Sequence, residues 1–159
     1  MNLKRVLIFS LTLLFGTACL FLTNLTAEID YDSGDEMAGN AWGEAYVATW
    51  FDFPHAKSCH WVSLMNSGPV PIRYYYDFYM NISGPDDIFP LQVDDDGWVA
   101  LDSSWSTSEI FSVNMRHKQG GRYMINAYTD LDIKADVNHD GLFDTFGGWY
   151  ASCSTSFER

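Results

Sequence analysis

The sequence predicts an all-β chain: an antiparallel sandwich of about seven to eight short strands, carried behind an export signal. Three observations predict it. No long stretch beyond the N-terminal segment carries a helical stripe of apolar side chains. Runs rich in aromatic and β-branched residues recur at about ten-residue spacing. Clusters of Gly, Pro, Asn and Asp punctuate those runs.

The first segment is an address. Lys4 and Arg5 form a short positive region, residues 6–22 are nearly all apolar, and Leu25-Thr26-Ala27 ends in a small residue before Glu28. This is the order of a secretory signal peptide spanning 1–27. Left uncleaved, the run 6–25 is long enough to cross a bilayer and would act as an N-terminal anchor. Cys19 follows Gly16-Thr17-Ala18, which partly resembles a lipoprotein cleavage box, although Leu20-Phe21-Leu22 stays apolar. Residues 28–43 are acidic, with Asp30, Asp32, Asp35 and Glu36, and read as a flexible lead-in. The sandwich domain is expected over 44–159.

Strands follow in order. Residues 45–51 are rich in aromatic and β-branched types, and 59–66 end at a turn, Asn66-Ser67-Gly68-Pro69. The strongest alternation is 72–82. It sends Tyr74, Tyr76, Phe78, Met80 and Ile82 to one face, and Arg73, Tyr75, Asp77, Tyr79 and Asn81 to the other. Short strands are expected at 89–93 and 98–101, separated by a turn at Asp94-Asp95-Asp96-Gly97. Residues 109–115 alternate, and Gln119-Gly120-Gly121 predicts a hairpin returning into 122–128. The last strand is 148–157.

Charge narrows the function classes. With 21 acidic residues against nine basic ones the formal net charge is −12, and loss of Lys4 and Arg5 with the signal makes it more negative. Such a surface repels phosphate backbones, so nucleic acid is not an expected partner. Membrane contact is expected only through the N-terminal segment. Removing Cys19 leaves Cys59 and Cys153, which in an oxidising compartment read as one disulfide. Closing so long a loop would contribute about 4–5 kcal/mol at most.

One loop carries metal chemistry. Residues 136–144 have the form D-x-N-x-D-G-x-x-D. Calcium takes six to eight oxygens, and this spacing offers the side chains of Asp136, Asn138 and Asp140, the Leu142 carbonyl, and Asp144, with Gly141 at the sharp turn. The loop resembles EF-hand and dockerin loops. The twelfth position is Gly147 instead of an acidic residue, so either a ligand comes from elsewhere, with Asp130 or Asp132 nearest in sequence, or the affinity is modest. A structural calcium ion is the expectation.

The remaining constellations are weaker. Asp94-Asp95-Asp96 could hold a second ion, but three aspartates before a glycine more often form a solvated turn. His55, Cys59 and His60 make a poor transition-metal set. Glu44 and Glu109 could serve as a carboxylate pair, as any acidic protein could, and no nucleophile or metalloprotease motif is present. No enzyme is expected. All six tryptophans and all nine tyrosines lie beyond the signal. Tyr75, Tyr79, Trp98 and Trp105 are the candidates for an exposed ligand surface. Asn81-Ile82-Ser83 is a glycosylation sequon, relevant only in a host that glycosylates.

Two segments resemble bacterial immunoglobulin-like adhesion-related domains. One runs from Val62 through Asn66 and Gly68 to Tyr79, and the other is Gly121-Arg-Tyr-Met-Ile-Asn-Ala-Tyr-Thr-Asp130. In that family a strand ends in Asn-x-Gly before a long strand, and a late Gly-x-Tyr strand ends near an Asp. The resemblance covers about half of 28–159 and implies an immunoglobulin-like sandwich. The combined expectation is a secreted or cell-surface, non-enzymatic binding or adhesion module of bacterial origin. Its partner would be an extracellular protein or a polysaccharide. A carbohydrate-binding module and a self-associating structural subunit are the alternatives.

Overall fold

The computed structural model describes residues 27–36, 41–68, 70–86, 88–136 and 144–159. Eight strands account for nearly all of them: β1 (Ala27–Glu36), β2 (Ala41–Asp52), β3 (His55–Asn66), β4 (Ile72–Ser83), β5 (Ile88–Val99), β6 (Ser103–Asn114), β7 (Arg122–Ala135) and β8 (Asp144–Glu158). They form two four-stranded antiparallel sheets, ordered β1-β2-β3-β6 and β5-β4-β7-β8. The expected antiparallel sandwich is therefore what the chain forms. Its connectivity is immunoglobulin-like: β2, β3 and β6 make one sheet, β5, β4, β7 and β8 the other, and the chain changes sheet after β3, β5 and β6. β1 is an added strand outside β2.

Alternation builds the core. β4 buries every second residue, with Tyr74, Tyr76, Phe78, Met80 and Ile82 all inside. They meet Val62 and Leu64 of β3, Ile125, Leu131 and Ile133 of β7, and Trp149 and Phe157 of β8. Across the gap Phe78 stacks on Phe111 at 4.9 Å, and the His60 ring lies tilted against Phe78 at 4.4 Å. Trp149 lies so close to β2 that a Cβ at Gly43 would sit 2.6 Å from its ring. The glycine is what allows that approach. A second apolar cluster lies on the outer side of the β1-β2-β3-β6 sheet: Tyr46, Ala48, Trp50, Cys59 and Trp61.

Three expectations differ from this picture. Asp94-Asp95-Asp96-Gly97 is not a turn: β5 runs straight through it, with Asp94 opposite Asp77 and Gly97 opposite Tyr74. The Tyr74 hydroxyl donates to Asp95 Oδ2 at 2.9 Å, and a Cβ at Gly97 would meet that hydroxyl at 2.7 Å. Gly120-Gly121 does not close a hairpin: β6 pairs β3 and β7 pairs β4, so the turn is a crossover between sheets. Gly121, at φ 140°, exchanges two backbone hydrogen bonds with Arg159. Residues 28–43, read as a lead-in, hold β1 and the start of β2, paired in full register from Ala27↔Trp50 to Glu36↔Ala41.

The turn at Asn66 matches its reading. Asn66 Oδ1 accepts from the Gly68 amide at 2.9 Å, and its Nδ2 donates to the Val70 and Val99 carbonyls. This side chain pins the crossover from β3 to β4.

Candidate functional site

The outer face of the β5-β4-β7-β8 sheet gathers the polar half of each strand. Register sets its rows. Arg73 stands between Trp98 and Lys134, Tyr75 between Asp96 and Asp132, Asp77 between Asp94 and Asp130, and Tyr79 between Gln92 and Tyr128. β8 extends these rows, with Gly148 beside Asp132, Tyr150 beside Asp130 and Ser152 beside Tyr128.

The middle of this face is a tyrosine row. Tyr79 stacks on Tyr128 with centroids 5.3 Å apart and planes 16° from parallel, and Tyr128 on Tyr150 at 5.8 Å and 28°. Tyr150 is 51% exposed. Next to the row lies a chain of amide and hydroxyl groups. Asn126 Nδ2 donates to Asn81 Oδ1 at 3.0 Å, and Ser154 Oγ donates to Asn126 Oδ1 at 2.9 Å. These groups line a shallow depression of about 390 Å³, which Glu28 of β1 closes at the sheet edge. The Tyr128 hydroxyl is directed toward Asp77 Oδ2 at 3.5 Å, and burial followed by the Asp77 charge pushes its pKa up.

The other end of the face is ionic. A second depression of about 460 Å³ is lined by Arg73, Tyr75, Asp77, Asp94 and Asp132, among others. The Arg73 guanidinium lies 4.8 Å from the Tyr75 ring centroid and the Lys134 ammonium 4.7 Å. Arg73 also bonds Asp96 at 2.8 Å, which raises its pKa further. Asp130 is raised from the usual carboxylate value, first by burial and then by Asp132 and Asp77. The Tyr75 faces are thus taken by the chain's own cations, while the Tyr79–Tyr128–Tyr150 row stacks on itself and ends in the half-exposed Tyr150.

Of the four sequence candidates, Tyr75, Tyr79 and Trp98 share this face and Trp105 does not. Trp105 sits on β6, opposite Leu64 in the other sheet, and stacks on Tyr74 at 4.1 Å. It covers the core instead of meeting solvent. Tyr128 and Tyr150 escaped the sequence reading. Nothing local marks them; only the β4-β7-β8 register brings them to Tyr79.

The other candidates disperse. Cys59 and Cys153 are held as thiols. Cys59 belongs to the outer cluster of its sheet, whereas Cys153 faces the core of the opposite sheet, where its thiol donates to Thr49 Oγ1 at 3.5 Å. Side-chain alternation on β3 turns Cys59 away from β8, so the expected disulfide does not form. Burial pushes the Cys153 thiol up to about 11, outside the range of a nucleophile. Glu44 is fully buried on β2 and Glu109 lies exposed on β6, on opposite faces of the same sheet, so they form no pair.

His60 is a core residue, bonded through Nε2 to the Tyr76 hydroxyl. Asp136 ends β7, while Asn138, Asp140 and Leu142 lie outside the described residues and the Asp144 side chain is not described. The signal segment 1–26 also lies outside them. Among the described residues no group of three or more His, Cys, Asp or Glu is placed to hold a metal ion. The three aspartates of β5 split between faces, since Asp95 accepts from Tyr74 while Asp94 and Asp96 stand on the outer side.

No family model matches the chain, and no curated protein matches it. Two solved structures are similar at low level. Northeast Structural Genomics Consortium target SoR45 has 5% identity and a TM-score of 0.29, covering 80% of this chain and 85% of that one. The putative ApaA protein from Bordetella pertussis has 8% identity and a TM-score of 0.28, covering 80% and 91%. Likeness of this size carries no functional inference.

Proposed function

We propose that this chain is a non-enzymatic binding module of an exported protein, and that it holds a polysaccharide on the outer face of the β5-β4-β7-β8 sheet. The observation that carries the reading is the Tyr79–Tyr128–Tyr150 row beside the Asn81–Asn126–Ser154 chain. Ring faces pack against the C–H faces of sugars, and amide and hydroxyl groups exchange hydrogen bonds with sugar hydroxyls. The site is a shallow, open surface, which suits a polymer better than a small molecule, since small ligands favour enclosed, largely apolar pockets. The carboxylates around it disfavour anionic polymers.

Export remains part of the proposal, on the strength of residues 1–27. So does a structural calcium ion in the 136–144 connection between β7 and β8.

Retention of the full secreted chain on a panel of neutral and acidic polysaccharides tests the reading. Retention on a neutral polymer, lowered about three- to tenfold by Tyr150→Ala, is expected from the loss of one aromatic contact. Equal retention of Tyr79→Ala/Tyr150→Ala and wild type removes this face as the site.

A further inference from the structure

β8 is the outer strand of its sheet. An outer strand presents a row of backbone N–H and C=O groups on which another chain can pair, and proteins blunt such edges with charges, proline, bulges or short length. β8 runs for 15 residues and carries neither a charge nor a proline between Asp144 and Glu158. Its register shift against β7 lies at its start, opposite Ile133 and Lys134. The strand does not guard itself.

β1, from the other sheet, guards it. The Tyr150, Ser152 and Ser154 amides donate to carboxylates of Asp32, Asp30 and Glu28 at 3.2, 2.8 and 3.1 Å. Both series step by two residues and run in opposite directions. Each carboxylate therefore stands where the carbonyl of a next antiparallel strand would stand. No β1 residue belongs to either buried cluster. β1 is held by its ladder to β2, by these three bonds and by the Tyr31 hydroxyl donating to Glu44 at 2.9 Å.

We propose that β1 is a removable guard over a latent strand-accepting edge, and that the uncovered edge pairs with β8 of a second copy. The occupant follows from charge and shape. Two copies of a chain with net charge −12 repel each other over most of their surface. The β8 edge is a window without charge, and its central side chains Ala151, Ser152, Cys153 and Ser154 are small. Antiparallel pairing about a twofold axis uses the same row on both copies. The acidic segment is thus not only a solubilising leader: it satisfies three edge amides and withholds them from a partner.

The test replaces all three carboxylates, Glu28→Ala/Asp30→Ala/Asp32→Ala, in the otherwise intact chain. Hydrogen exchange of the Tyr150, Ser152 and Ser154 amides is expected to quicken by about tenfold, the worth of one charge-assisted hydrogen bond. The alternate amides of Ala151, Cys153 and Thr155, which face β7, stay protected. The mass by light scattering rises with concentration above that of wild type. Adding Ser152→Pro removes the central N–H and returns the mass to the wild-type value.

Unchanged edge exchange overturns the guard. Fast edge exchange with a wild-type mass at every concentration, or association that persists with Ser152→Pro, overturns the acceptor. Should the alanine variant lose protection in β4 as well, Glu28→Gln/Asp30→Asn/Asp32→Asn keeps an oxygen at each position without charge and is read in the same way, with smaller shifts in both measurements. Polysaccharide retention, read on Asp30→Ala/Asp32→Ala, which leaves Glu28 at the edge of the depression, keeps this inference separate from the ligand face.

Discussion

Replacing His60 with glutamine isolates a pH dependence built into the core. His60 is 2% exposed, with its ring centroid 4.4 Å from Phe78 and 5.8 Å from Phe111. Its Nε2 is bonded to the Tyr76 hydroxyl, and its Nδ1 has no hydrogen-bond partner. Glu109 of β6 is its register neighbour. Burial lowers the imidazole pKa from 6.5 to about 4, so the folded chain holds the ring neutral while the unfolded chain protonates it below 6.5. The associated stability is fully present above pH 6.5, falls as the pH drops toward 4, and is gone below that. At 1.36 kcal/mol per pH unit, the interval is worth about 3 kcal/mol.

Urea unfolding of wild type and His60→Gln between pH 7.5 and 4 measures it. Carboxylate titrations enter both chains alike and cancel in the difference. Wild type is expected to lose about 3 kcal/mol more than the variant across the window. Parallel stability curves, or a His60 imidazole that titrates near 6.5 by NMR, would rule out this pH dependence.

Other perturbations test separate parts of the account. Gly97→Val forces a side chain into the Tyr74 ring and should cost about 1–3 kcal/mol, read as a fall in melting temperature, whereas the same change at exposed Gly120 should cost far less. Asp140→Ala should abolish a calcium-dependent rise in melting temperature, and a wild type that melts equally in calcium and in chelator excludes the ion. Tyr150→Ala should weaken polysaccharide retention without moving the melting temperature by more than about a degree or two, since Tyr150 is half exposed. The carboxylate triple variant should self-associate through β8.

Legibility in the sequence followed the physics of each element. β4 was readable because strict alternation of large apolar and polar residues has one meaning, and it placed Tyr75 and Tyr79 on the correct face. β5 was not, because Asp-Asp-Asp-Gly is turn chemistry in isolation. Its strand state comes from partners: Tyr74 bonds Asp95, and Tyr74 also requires Gly97 to be small. β1 carries only a short alternation, Ala27, Ile29 and Tyr31 against Glu28, Asp30 and Asp32, and the carboxylates of its acidic half answer amides more than 100 residues away. The ligand face was half visible for the same reason. Tyr128 and Tyr150 join Tyr79 only through the pairing of β4, β7 and β8, and Trp105 leaves it because β6 belongs to the other sheet.

The most direct test of the binding face is an NMR titration of the chain with an oligosaccharide cut from the best-retained polysaccharide. The account predicts shifts confined to the amides of Tyr79, Asn81, Asn126, Tyr128 and Tyr150 and to the Asn126 side-chain amide. Shifts gathered instead on the outer side of the opposite sheet, around Tyr46, Trp50 and Trp61, would contradict it.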